Sequence, residues 1–312
     1  MSLSTFIPPA VAQLGWRGAQ FGLPWLTNIT FGTAVNRDLL AQAGFDPERT
    51  PVYVSDVEAI NRKVTRFDVE GRVVQLGMPP HLYTGEPANT LTSWGFAFGG
   101  GFWDSRDQRF TTDRPENTAA LEWLFEQKQR YLPDDDTSLL RAASGPVFGG
   151  GRIGVILIHT SAATDLHHHF PDLDWRLGPQ PYLEDGGHRN PLWLSGPALT
   201  ITRDSEDPEA AFSFVRYATT YFDALEALVS VGRSLPGVLE PRAIWEVVRR
   251  DRALAPWVDM LADVRFSRPP VPNQRFWVAT LNERVTAVLN GRLPAATALA
   301  EAQRLVSEDL SR

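Results

Sequence analysis

Residues 22–47 read GLPWLTNITFGTAVNRDLLAQAGFDP. The first half, up to Val35, favours extended chain, with Trp25, Thr27 and Asn28 just after a proline turn. The second half predicts a short helix. Asn36 can cap it, Leu39, Leu40 and Ala43 supply an apolar side, and Gly44 stops it ahead of Pro47.

Outward from there, Ser55 to Glu58 has the order of a capping box, and Val57, Ile60 and Val64 follow at helical spacing. Arg72 to Leu76 reads as a short strand after a turn at Asp68 to Gly71. Residues 77–104 are rich in Gly, Pro and aromatics and end in SWGFAFGGGFWD. A helix is predicted after Pro115, with Ala120, Leu121, Leu124 and Phe125 on one face. Asp207 caps another that begins at Pro208 and turns Ala211, Phe212 and Val215 inward. Residues 241–263 are helical. Two more helices run from Phe276 to Asn290 and from Pro294 onward, the first with Val278, Leu281, Val285, Val288 and Leu289 as its core stripe.

Composition removes several function classes. The chain has 312 residues, length for about two domains. Hydrophobic residues are 43%, charged residues 21% and the net charge is −7 with no basic patch, so nucleic acid is not an expected partner. There is no cysteine, which excludes disulfides, zinc thiolate sites and cysteine nucleophiles. Gly149 to Gly154 contains a formal GxGxxG, but its strand, Ile153 to Ile158, follows the glycines, and a nucleotide loop needs one before them. His167, His168 and His169 are consecutive, so a helix points them different ways and no pair stands at i, i+4. Asp134 to Asp136 lack the glycine and closing glutamate of a calcium loop and read as a solvated turn. No metal site is expected.

The order Gly-Leu-Pro-Trp, strand, Asn-Arg-Asp-Leu-Leu-x-x-Ala-Gly-Phe-Asp-Pro resembles the hinge segment of extracellular solute-binding proteins, most closely the sugar-binding group that serves ABC importers. Further landmarks follow in the family's order: Trp94 ahead of Gly99 to Phe102, Pro171-Asp-Leu-Asp-Trp175, Asp207-Pro-Glu-Ala-Ala211 and Gly232-Arg-Ser-Leu-Pro236. Val54 and Ser55 depart from the family's usual Trp-x-Glu. The resemblance implies an α/β, periplasmic-binding-protein-like two-lobe fold. Partial lobe 1 would be residues 1–30 and 196–240, truncated at its N-terminal βαβα units. Lobe 2, largely complete, would be residues 31–195 and 241–312. Such a lobe 1 would expose apolar faces and strand edges, which favours self-association. The implied role is a non-enzymatic component, without cofactor, that binds a sugar, oligosaccharide or other small polar solute between the lobes and passes it to ABC permease subunits. Glycerol phosphate esters are a neighbouring solute class. The implied location is periplasmic or cell-surface, although Met1 to Pro9 does not read as a signal peptide.

A sugar offers C–H faces that stack on aromatic rings and hydroxyls that need polar partners once water leaves. At positions matching the family, the expected ligand contacts are Trp25 and Asn28 beside the hinge, Trp94 with Gly100, Ser161 after the strand at 153–158, and Trp193 and Ser195. Trp277 is the leading candidate, because it lies off the Val278, Leu281, Val285 stripe and matches an aromatic pair of the family with Phe276. Trp123, Trp175 and Trp245 are assigned to the core. Two other functions compete: a remnant that no longer binds ligand, and a glycoside hydrolase. For the latter Asp104, Asp107, Glu184 and Glu283 are available, but their spacing singles out no carboxylate pair.

Overall fold

The computed structural model describes residues 2–82, 86–132 and 146–311. The carboxylate run at Asp134 to Asp136 lies outside the described residues. The chain divides into two compact units. Unit 1 holds Met1–Thr30, His159–Thr164 and Trp193–Pro272; unit 2 holds Phe31–Ile158, Asp165–Leu192 and Asn273–Arg312.

Unit 1 opens with α1 (Pro8–Ala12) and the short hairpin β1 (Gly15–Trp16) and β2 (Ala19–Gln20). β3 (Leu23–Pro24) and β4 (Leu26–Thr30) follow, the latter with buried Thr27, Ile29 and Thr30. Its main sheet has the order β14–β4–β12–β15, where β12 is Trp193–Ser195, β14 Leu235–Pro236 and β15 Phe266–Ser267. β4 runs antiparallel to both neighbours, and β12 runs parallel to β15. Gly196 and Pro197 separate β12 from β13 (Ala198–Leu199), which pairs with β3. Gly196 is at φ 153°, and a Cβ there would collide with the Leu26 carbonyl oxygen, so the crossing of these strands requires glycine.

Unit 2 contains a second antiparallel sheet, with β5 (Gly32–Asn36) between β10 (Val155–Ile158) and β11 (Trp175–Gly178). β5 and β10 are buried along their whole length. α2 (Arg37–Gln42) begins as the sequence predicts: Asn36 Oδ1 accepts from the Leu39 N–H at 3.0 Å, and Gly44 closes the helix at φ 80°. The next helix, α3 (Val54–Val64), starts one residue before the predicted box. Its Asp56 carboxylate accepts from the N–H groups of Val52 and Tyr53 at 2.9 and 3.0 Å. Two small hairpins, β6 (Arg66–Phe67) with β7 (Val73–Gln75) and β8 (Trp103–Asp104) with β9 (Arg109–Phe110), lie on either side of α4 (Pro87–Ala97) in the chain. α4 packs against α5 (Pro115–Tyr131) and α12 (Gln274–Leu289), and α12 packs against α13 (Ala295–Leu310). The short α6 (Pro146–Gly149) precedes β10, and α7 (Thr160–His169) follows it. The glycines of the GxGxxG thus precede their strand, and the three histidines form the exposed last turn of α7.

Residues 241–272 group with unit 1, whereas the expected lobe 2 took in 241–312. The reason is local packing. α9 (Phe222–Ser230) lies against α10 (Ala243–Arg250), α10 lies against α11 (Ala255–Leu261), and β15 is stitched to β12. The remaining unit 1 helix is α8 (Pro208–Thr220), capped by Asp207 Oδ1 on the Ala210 N–H at 2.9 Å. Among the described residues no helix is long and apolar enough to cross a membrane.

Candidate functional site

Register decides which side chains share a face in unit 1. Asn28 stands opposite Ser195, Thr30 opposite Trp193, and Trp193 opposite Phe266. Directly paired residues point the same way and strand neighbours alternate, so Asn28, Thr30, Trp193, Ser195 and Phe266 lie on one face of the sheet. Thr27, Ile29 and Leu194 point to the other, where the Thr27 hydroxyl donates to the Pro236 carbonyl at 3.2 Å. On the first face the Thr30 and Ser195 hydroxyls are 3.4 Å apart. The Arg268 guanidinium carbon lies 5.4 Å from the Trp193 ring centroid, a cation–π distance.

Asn28, Ser195, Phe266 and Arg268 are half-buried, and Trp193 is buried. Trp25 is also half-buried, and its backbone is held on both sides. Its N–H donates to the Pro197 carbonyl at 3.1 Å, and its own carbonyl accepts from the Gly237 N–H at 3.3 Å. The first turn of α7 belongs to the same unit. There His159 Nδ1 accepts from the Ala162 N–H at 3.2 Å, which places the ring proton on Nε2. The exposed Ser161 hydroxyl donates to the same Nδ1 at 2.7 Å.

The other three expected contacts sit inside unit 2, and their surroundings are those of a core. Trp94 is fully buried in α4, its Nε1–H donates to the Pro80 carbonyl at 3.0 Å, and its ring centroid is 4.6 Å from that of Trp123. Gly100 is buried against Asn117, whose Oδ1 would collide with any Cβ there. The Asn117 amide donates to the carbonyls of Gly101, Thr111 and Thr112, so Gly100 serves this turn. Trp277 is fully buried, edge-on to Phe102 with centroids 5.8 Å apart. The buried stripe of α12 runs Trp277, Leu281, Val285, Val288, and Val278 lies at its margin. Leu281, Val285, Val288 and Leu289 are buried as expected; at the first turn the buried position is Trp277 and not Val278. The Trp277 Nε1 has no hydrogen-bond partner among the described residues.

The residues that the sequence did not single out are Thr30, Phe266 and Arg268. Arg268 lies in a Pro-rich stretch without periodicity, more than seventy residues after Ser195, and reaches Trp193 only through the parallel pairing of β15 with β12. Among the described residues, no three His, Cys, Asp or Glu side chains converge in a way that could hold a metal ion.

The hydrolase candidates have ordinary structural duties. Asp104 and Asp107 share one exposed turn, in which Asp104 Oδ1 accepts the N–H groups of Arg106 and Asp107 at 2.9 and 3.1 Å. Those bonds, with that from Asp107 the larger, hold the Asp104 carboxyl below its usual range, opposite to what a general acid needs. Glu283 lies exposed beside Arg284 at 3.3 Å.

A family model described as bacterial extracellular solute-binding protein matches residues 2–221. Solved structures match nearly the whole chain. One is CpMnBP1 with mannobiose bound, at 18% identity and TM-score 0.80 over 97% of this chain and 76% of that one. Another is an ABC substrate-binding protein from Listeria monocytogenes in complex with cycloalternan, at 19% and 0.78 over 100% and 77%. A third is the GacH receptor of Streptomyces glaucescens, solved unliganded and with acarbose, at 17% and 0.79 over 100% and 76%. At such identities the likeness shows the fold: α/β, of the periplasmic-binding-protein type. Comparison with curated protein sequences finds no match.

Proposed function

Because the chain belongs to the bacterial extracellular solute-binding protein family, we propose that it binds a sugar or oligosaccharide for an ABC transporter. It would act outside the cytoplasmic membrane, in the periplasm or at the cell surface, and deliver its solute to permease subunits without chemical change. The observation that carries this reading is the polar face of the unit 1 sheet. Asn28 offers both donor and acceptor atoms and Ser195 a hydroxyl, a set suited to neighbouring sugar hydroxyls, and the buried Thr30 hydroxyl lies 3.4 Å from that of Ser195. Trp25 supplies the ring for a C–H face and Ser161 a further exposed hydroxyl, while Trp193 lies buried on the same sheet face with the Arg268 guanidinium against its ring. Trp94, Gly100 and Trp277 stay with the core of unit 2. The sugars named with the structural neighbours, mannobiose and cycloalternan among them, favour the same solute class. The low-lying Asp104 carboxyl and the exposed Glu283 favour binding over glycoside hydrolysis.

Titration with a panel of di- and oligosaccharides, followed by calorimetry and tryptophan fluorescence, tests the proposal. A saturable signal with one member and no release of reducing sugar is expected. A flat response across the panel from protein with a cooperative thermal transition contradicts it.

A further inference from the structure

A groove in unit 1, lined from α10 and α11, has a chemistry unlike that of the sheet face. On α10, Ile244 and Val248 are buried toward the unit, and the adjoining side of the helix presents Trp245 and Arg249 to the groove. On α11 the buried residue is Trp257, and Val258 and Leu261 line the groove. Arg249 reaches from one helix to the other, where it donates to Asp259 Oδ1 at 3.0 Å. Buried Ile7 and Val264 add apolar surface from the residues just before α1 and β15, and Pro8 and Pro9 add the first turn of α1. The cavity has a volume of about 610 Å³, in the range of small-molecule sites.

We propose that this groove binds a small aromatic anion, a planar ring system that carries a carboxylate or sulfonate group. Charge selects the head of the ligand. Among the described residues that line the groove, the only polar side chains are Arg249 and Arg265, and there is no carboxylate. Asp259 already engages Arg249, whereas Arg265 is exposed and has no hydrogen bond or ion pair among the described residues. A guanidinium beside apolar surface offers a planar fork of donors that matches the oxygens of such an anion. Shape selects the body. The Trp245 indole and the rings of Pro8 and Pro9 are flat and rigid, and a planar ring packs on such surfaces without the entropy that a flexible acyl chain loses. A sugar, with hydroxyls on every side, would find too few polar partners here, so the groove and the Asn28–Ser195 face select different ligands.

Calorimetric titration of the full chain with naphthalenesulfonate tests the proposal. Naphthalenesulfonamide serves as an uncharged ligand of the same shape, and dodecanoate as a flexible anion. The sulfonate is expected to saturate a single site and to bind more tightly than either of the others. Arg265→Gln should weaken sulfonate binding about three- to fivefold and leave sulfonamide binding within about twofold, because only the charged ligand uses the guanidinium. Trp245→Ala should weaken both about tenfold, since both stack on the ring. Phe214→Glu, at an exposed ring on α8 outside the groove, should change neither. The proposal is overturned by a flat titration with the sulfonate, or by sulfonamide or dodecanoate binding as tightly. It is equally overturned by sulfonate binding that Arg265→Gln and Trp245→Ala leave unchanged in protein with a wild-type circular dichroism spectrum.

Discussion

Tryptophan serves opposite purposes in the two units. In unit 2, Trp94, Trp123 and Trp277 are packed into a helical core, and Gly100 exists because Asn117 leaves no room for a side chain. In unit 1, Trp25 is half-open and Trp193 backs a polar sheet face, with Asn28, Ser195 and Arg268 beside it. The difference teaches that an aromatic ring marks a candidate site only where half-buried polar groups share its surface. A ring surrounded by rings marks a core.

Stability measurements give that comparison its strongest challenge. Trp94→Ala is expected to cost about 3–5 kcal/mol in urea unfolding, as large-to-small changes in a closed core do. Trp25→Ala, at a half-buried position, is expected to cost about 1 kcal/mol. Equal losses at the two positions would erase the distinction between core ring and surface ring.

A smaller effect separates the units by acid. Asp68 and Asp104 both sit in unit 2 turns, and hydrogen bonds from backbone N–H groups, those of Arg72 and Asp107 first, lower their carboxyl groups below the ordinary range. A depressed carboxyl adds stability that is present above its unfolded value, about pH 4, and is lost as pH falls through the folded value. The thermal midpoint should therefore decline gently below about pH 4. Asp68→Asn and Asp104→Asn should each flatten that decline, modestly, because both carboxylates face solvent. An acid limb unchanged in both variants would show that these turns contribute nothing.

Much of the fold was legible because local chemistry and tertiary context agree. The Asn36 cap, the Gly44 stop and the Asp207 cap are read from a few residues each, and the structure uses them all. α4 was not legible. It is buried on nearly every side, from Ala88 through Ala97, so its apolar residues show no period and its Pro, Gly and aromatic content reads as loop. Trp94 and Gly100 entered the expected ligand set from the family's pattern, and both are buried in unit 2. Trp277 entered through the family's aromatic pair and because Val278 was read as the first core position of α12, a place that Trp277 takes, and Phe212 was expected inward on α8 but is exposed. On the unit 1 face, Asn28 and Ser195 were anticipated from the family's pattern. Their pairing depends on strand register between segments more than 160 residues apart, and the arrival of Arg268 on register between segments more than seventy apart, which no local pattern encodes.

Calorimetric titration of three proteins with the sugar that the panel selects tests the central claim most directly. Asn28→Ala/Ser195→Ala removes two hydrogen-bonding partners and is expected to weaken binding about tenfold or more, at about 1 kcal/mol per hydrogen bond. Trp277→Phe keeps a ring in the core and gives up no hydrogen bond, so affinity should stay within about twofold of the wild type. Unchanged binding in the double variant, with binding lost in Trp277→Phe, would contradict the account and move the site into unit 2.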